Sequence, residues 1–165
     1  MIPTGFKPML ADKLEPGAAP ALPCLVSPKL DGIRTLIFDG VAYSRNLKRL
    51  PNNHVQESLG LEALEGFDGE LLVGSAVDAD AFRATTSGIM SADGAPDITF
   101  HVFDLAGFPG GFEARMKELK RRVKALPAAL RRIVQVVPHE EVSTLEDLTT
   151  MEESYLAREI GRAHV

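Results

Sequence analysis

The chain has 165 residues, 45% hydrophobic and 25% charged, with a mean hydropathy of +0.01; this is the composition of a soluble globular protein long enough for one domain with a proper core. A net charge of −5 at pH 7 excludes a surface that is one continuous nucleic-acid footprint but leaves room for a locally basic cleft. Cys24 is the only cysteine and the four histidines are scattered, which excludes an internal disulfide and argues against a zinc site.

Residues 1–23 are proline-rich and read as an irregular lead-in without the basic-then-apolar layout of a signal peptide. No apolar run approaches the ~20 residues a membrane helix needs, so no membrane is expected and a cytoplasmic setting is the default. Residues 24–27 and 33–38 look like strands separated by Lys29-Leu30-Asp31-Gly32. Asp39-Gly40 is a hairpin signal, with 41–44 as the returning strand. Pro51-Asn52-Asn53 breaks the chain before a short helix over 54–61. Residues 67–73 read as a strand, although Asp68-Gly69 inside it is odd for pure architecture.

Asp78 suits the N-cap of a helix reaching Phe82 or beyond, and 98–105 is a further strand. After the glycine-rich loop 107–111, a helix is predicted over 112–126, with Glu113/Lys117 and Glu118/Arg122 at supporting spacing. Residues 133–137 form the last strand, and Ser143 or Thr144 caps a final helix toward Ala157. Positive residues gather at Arg45, Lys48 and Arg49 and again from Arg115 to Lys124; Glu113 and Glu118 interleave the second cluster, which reads as a solvated helix face. The pattern is α+β, with antiparallel-rich strands in hairpins and helices inserted between them, not a regular βαβ alternation.

The chemistry concentrates in Ser27-Pro28-Lys29-Leu30-Asp31-Gly32-Ile33-Arg34, a lysine between two strands. A lysine amine, with a reference pKa of about 10.4, attacks nothing until its surroundings favour the neutral form. Gly32 lets the backbone approach a ligand, and Arg34 offers donors for phosphate or sugar oxygens. On its own this short match equally describes a hairpin turn with exposed charges. Ser44-Arg45-Asn46 adds a donor-rich turn. Asp68 and Glu70 fall on one face of a strand, opposite Phe67 and Leu71. Phe103 and Asp104 put an aromatic and an acid into a buried-strand pattern; Phe103 fits the core or the stacking of a base, and His101 reads as a satisfied strand histidine.

In this order the segments resemble the covalent nucleotidyltransferase superfamily, and within it the ATP-dependent DNA ligases of bacteriophage type. Lys29-Leu30-Asp31-Gly32-Ile33-Arg34 is similar to motif I, Phe67-Asp68-Gly69-Glu70-Leu71 to motif III and Phe103-Asp104 to motif IIIa. Ser44-Arg45-Asn46 matches the ligase signature that follows motif I, and residues 82–91 also look like small phage ligases. The resemblance implies an adenylation domain of ATP-grasp-like nucleotidyltransferase fold, ATP and Mg²⁺ as cofactors, and nicked duplex DNA as the partner of a monomer in a phage-infected or bacterial cell. It implies that Lys29 is the nucleophile that takes AMP, with Asp31 assisting metal binding or positioning the lysine. Arg34 and Glu70 would meet the nucleotide sugar, Arg45 ribose or DNA phosphate, and Phe103 adenine; Asp31 and Glu70 are the metal candidates.

Two departures qualify the resemblance. Ser27 stands where many cellular ligases place an acid that reads adenine. The family's later Glu-Gly and Lys-x-Lys motifs and its OB-fold domain are not in the sequence, so residues 1–158 are expected to be a C-terminally truncated adenylation domain that self-adenylates feebly or not at all. Residues 159–165 are expected to be a non-native tail, because that peptide is what a common sequencing adapter would encode. An RNA ligase, an mRNA-capping guanylyltransferase or a non-catalytic nucleotide-binding module remain the alternatives.

Overall fold

The structure is a computed structural model and describes residues 2, 4–12, 14–15, 17–75, 81–157 and 163–164. The expected cap at Asp78 and most of the expected tail lie outside the described residues. In chain order the elements are β1 (Cys24–Pro28), β2 (Ile33–Phe38), β3 (Val41–Ser44), α1 (Asn53–Leu59), a 3-10 turn (Glu62–Leu64), β4 (Phe67–Val73), α2 (Ala81–Met90) and β5 (Ile98–Leu105). They continue with α3 (Phe112–Ala125), α4 (Ala128–Ile133), β6 (Val134–Val136), β7 (Glu140–Val142), α5 (Leu145–Ala157) and β8 (Ala163–His164).

The strands form a five-stranded sheet in the order β3-β2-β4-β5-β6 and a three-stranded sheet in the order β7-β1-β8. The β2–β3 hairpin turns at Asp39 and Gly40, whose φ values of 51° and 69° are the left-handed pair that a tight hairpin needs. β4 pairs antiparallel with β2 and β5, whereas β6 runs parallel to β5 after the α3–α4 crossover. The expected strand over 133–137 is thus shorter: Ile133 ends α4 and only 134–136 pair. α1 ends at Leu59, before Gly60, two residues short of expectation.

Alternation separates the two faces of the large sheet. Ile37, Phe67, Leu71, Phe100, Val102 and Leu105 are buried in the main core with Val55 and Leu59 of α1, Ile89 of α2, and Met116 and Leu119 of α3. The opposite face carries Arg34, Asp68, Glu70 and Phe103. A second, small cluster of Val26, Val142 and Tyr155 holds β1, β7 and α5 together. Thr144 caps α5: its hydroxyl accepts from the Asp147 N–H at 3.0 Å and donates to the Asp147 carboxylate at 2.7 Å.

Candidate functional site

A cleft of about 440 Å³ opens on the polar face of the large sheet. Ser27, Pro28 and Leu30 line it from the β1–β2 segment, Arg34 from β2, Glu70 from β4, and Phe103 and Asp104 from β5. Met9 to Asp12 of the lead-in, Phe112 at the start of α3, and Val137 and His139 complete the wall.

A β-bulge puts Phe103 and Asp104 in the same lining. Asp68 pairs with Asp104 and Gly69 with Val102, so Phe103 is the extra residue. The alternation of buried positions along β5 slips one residue there, and neighbours that would otherwise face opposite ways both reach the cleft. Gly69 permits the arrangement, because a Cβ at that position would run into the His101 carbonyl.

Arg34 organises the floor. Its Nε donates to Asp68 Oδ1 at 2.8 Å and its Nη2 to Oδ2 at 2.7 Å, a bidentate pair with Arg34 19% and Asp68 5% exposed. Nη1 donates to the Met9 carbonyl at 2.8 Å, and the guanidinium lies 5.0 Å from the centroid of the Phe103 ring. Burial pushes the Asp68 carboxyl upward while the Arg34 bonds pull it back; the two-point geometry is that of a carboxylate.

Glu70 sits directly across from Arg34 in the β2–β4 register and accepts the Gly32 N–H at 3.1 Å. Burial raises its carboxyl to about 7, against the opposing pulls of the Gly32 N–H, Arg34 and Lys29. Gly32 is needed for close approach: a Cβ there would strike the Leu71 carbonyl.

Lys29 lies between the lining residues Pro28 and Leu30, with its Nζ 2.7 Å from Asp31 Oδ1. Both side chains are open to solvent, at 39% and 64% exposure, so the amine stands at the rim of the cleft. Arg45 lies in the exposed turn after β3 and is not brought into the lining. Among the described residues no group of three or more His, Cys, Asp or Glu side chains is placed to hold a metal ion. His101 is half-buried opposite Glu70, and burial lowers its pKa.

Several residues in or behind the wall have no signal in the sequence pattern. Met9–Asp12 belong to the stretch that reads as a featureless lead-in. Arg115, which the sequence assigns to a solvated face, instead donates to Asp104 at 2.7 and 3.2 Å and so ties α3 to the bulge; its i,i+11 separation from Asp104 across a loop has no periodicity to reveal it. His139 packs edge-on against Phe112 at 5.1 Å, and burial lowers its pKa.

The arrangement is that of a nucleotidyltransferase domain: antiparallel strands presenting an arginine, paired acids and an aromatic below a lysine-bearing loop. No protein-family model and no curated protein sequence matches the chain. Among solved structures, a Chlorella virus DNA ligase–adenylate superposes with a TM-score of 0.81 at 26% identity, covering 96% of this chain and 59% of that one. A Lig E DNA ligase gives 0.76 at 22% identity, covering 96% and 60%. The ATP-dependent DNA ligase of bacteriophage T7 in complex with ATP shares the fold at a TM-score of 0.53 and 15% identity, over 79% of this chain and 52% of that one. The chain has the fold of the adenylation domain of ATP-dependent DNA ligases and spans 59% and 60% of the length of the first two of these solved chains.

Proposed function

We propose that this domain is where an ATP-dependent DNA ligase carries out nucleotide transfer, with Lys29 as the nucleophile. The observation that carries this reading is the convergence of Arg34, Glu70 and Phe103, from three different strands, in one cleft whose rim holds Lys29. The neutral Lys29 amine attacks the α-phosphorus of ATP; a P–N bond forms, the bond to the pyrophosphate bridging oxygen breaks, and Nζ loses its proton. AMP then passes to the 5′-phosphate of nicked duplex DNA, and the adjoining 3′-hydroxyl displaces it to seal the strand.

The chain's own groups have distinct parts in this scheme. Phe103 stacks on adenine, and Glu70 accepts from a ribose hydroxyl. Arg34 uses three of its five N–H donors within the protein, and the others reach the nucleotide. Asp31 positions Lys29 and is the exposed carboxylate that can meet a Mg²⁺ carried in on the phosphates, with Glu70 the second candidate. A Mg²⁺ held there by Asp31 or Glu70 would supply positive charge against the pyrophosphate as it leaves. Arg45, on its exposed turn, contacts DNA phosphate. Residues 1–158 are assigned to the adenylation domain.

The test is strand joining by the complete protein with ATP and Mg²⁺, on nicked DNA and on nicked RNA, beside its Lys29→Ala variant. Sealing of DNA that disappears with Lys29→Ala is expected. Sealing of RNA alone, transfer that requires GTP, or joining that persists in the variant contradicts the proposal.

A further inference from the structure

The sequence gives no role to the lead-in, yet four consecutive residues of it, Met9 to Asp12, line the cleft with Arg34, Glu70 and Phe103. The contact is specific. The Met9 carbonyl takes the Arg34 Nη1 donor at 2.8 Å, while Asp68 takes Nε and Nη2. Two anchors on different segments, one a carboxylate and one a backbone carbonyl, therefore fix the plane of the guanidinium above the Phe103 ring. Met9 and Leu10 are 72% and 57% exposed although they line the cleft, so apolar side chains stand at its edge with little covering them. A flat, mostly apolar group entering beside Phe103 would cover them and remove that surface from water.

We propose that Met9–Asp12 is a nucleotide strap: it closes over the bound base and holds Arg34 in its binding orientation through the Met9 carbonyl. Met9 is thus a positioning residue, acting through Arg34. The inference rests on the nucleotide reading of the cleft but adds to it, since Phe103, Glu70 and Arg34 would bind ATP without any strap.

The experiment compares the full 165-residue chain with a form lacking residues 1–12, each with and without Arg34→Lys, by titrating ATP·Mg²⁺ and following thermal unfolding alongside. Deletion is expected to weaken ATP binding about tenfold, or ~1.4 kcal/mol, with the unfolding midpoint of the ligand-free protein little changed. Because the strap acts through Arg34, deletion in the Arg34→Lys background is expected to weaken binding by clearly less than tenfold. Trypsin supplies a second readout, since Lys7 and Lys13 bracket the strap in sequence: ATP is expected to slow cleavage there. Equal ATP affinity with and without residues 1–12, together with unchanged cleavage, overturns the strap while leaving the nucleotide cleft standing. Failure of the full chain to bind ATP at all overturns both.

Discussion

Gly32 shows how one absent Cβ ties the Lys29 loop to the sheet. Its N–H reaches Glu70, and a methyl group at that position would collide with the Leu71 carbonyl and lie 3.0 Å from Leu72 Cγ and 3.1 Å from Glu70 Cγ. Gly32→Ala is expected to cost about 2–3 kcal/mol through overpacking, read as a lower urea midpoint with an unchanged slope; an unchanged midpoint would show that the loop simply steps aside. Glu70 makes a different prediction. Its carboxyl is raised from 4.5 to about 7, so the folded protein holds a proton that the unfolded chain releases. The associated stability is complete below pH 4.5 and is lost as pH rises through 7. Gln at this position keeps the acceptor for Gly32 without the charge. Relative to the parent, Glu70→Gln should therefore gain about 2 kcal/mol of stability between pH 5 and pH 8, measured by urea unfolding at both; parallel pH profiles would refute the burial argument. In the sequence, motif spacing picks out Gly32 and Glu70 as ligand-facing residues, but their mutual hydrogen bond depends on strand register, which spacing alone does not set.

At the scale of elements, Asn52 joins two helices that are distant in sequence. Fully buried, it caps α1 by accepting the Val55 N–H at 2.9 Å, and its amide donates to the Ser91 carbonyl at 2.9 Å beyond the end of α2. Asn52→Ala removes a cap and the amide that ties the Ser91 carbonyl to α1, a loss of about 2 kcal/mol that calorimetry should register as a lowered Tm; a loss below about 0.5 kcal/mol would mean that water replaces the amide. Helix punctuation at Pro51-Asn52-Asn53 is visible in the chain, but the partner at Ser91 is not. The same contrast holds for the strands. Period-two alternation and Asp39-Gly40 make β2, β3, β4 and β5 legible, since each has a hydrophobic face and a defined turn. The bulge that aims both Phe103 and Asp104 into the cleft appears in the sequence only as an acid in a buried-strand pattern. β7 and α4 are too short, at 3 and 6 residues, to carry a period of their own; β7 forms along the edge that β1 offers, and α4 leads directly into β6, which pairs with β5.

Across the whole molecule, the large sheet separates two tasks. One face buries the main core against α1, α2 and α3; the other presents arginine, acids and an aromatic to the cleft. The fold class and the cleft-lining positions of Arg34, Glu70 and Phe103 are legible because polar or aromatic residues interrupt the alternation on β2, β4 and β5. The wall built from Met9–Asp12 is not, because an irregular segment has no period, and Arg45 lies outside the lining because β3 is an edge strand whose turn faces solvent. The proposed transfer requires covalent capture of AMP by one rim lysine. Peptide mapping of the complete protein after incubation with ATP and Mg²⁺ tests it most directly: an adenylyl group, lost in acid, is expected on the peptide containing Lys29 and absent from Lys29→Ala. An adenylyl group on another residue, or none on a protein that nevertheless joins DNA, would contradict it.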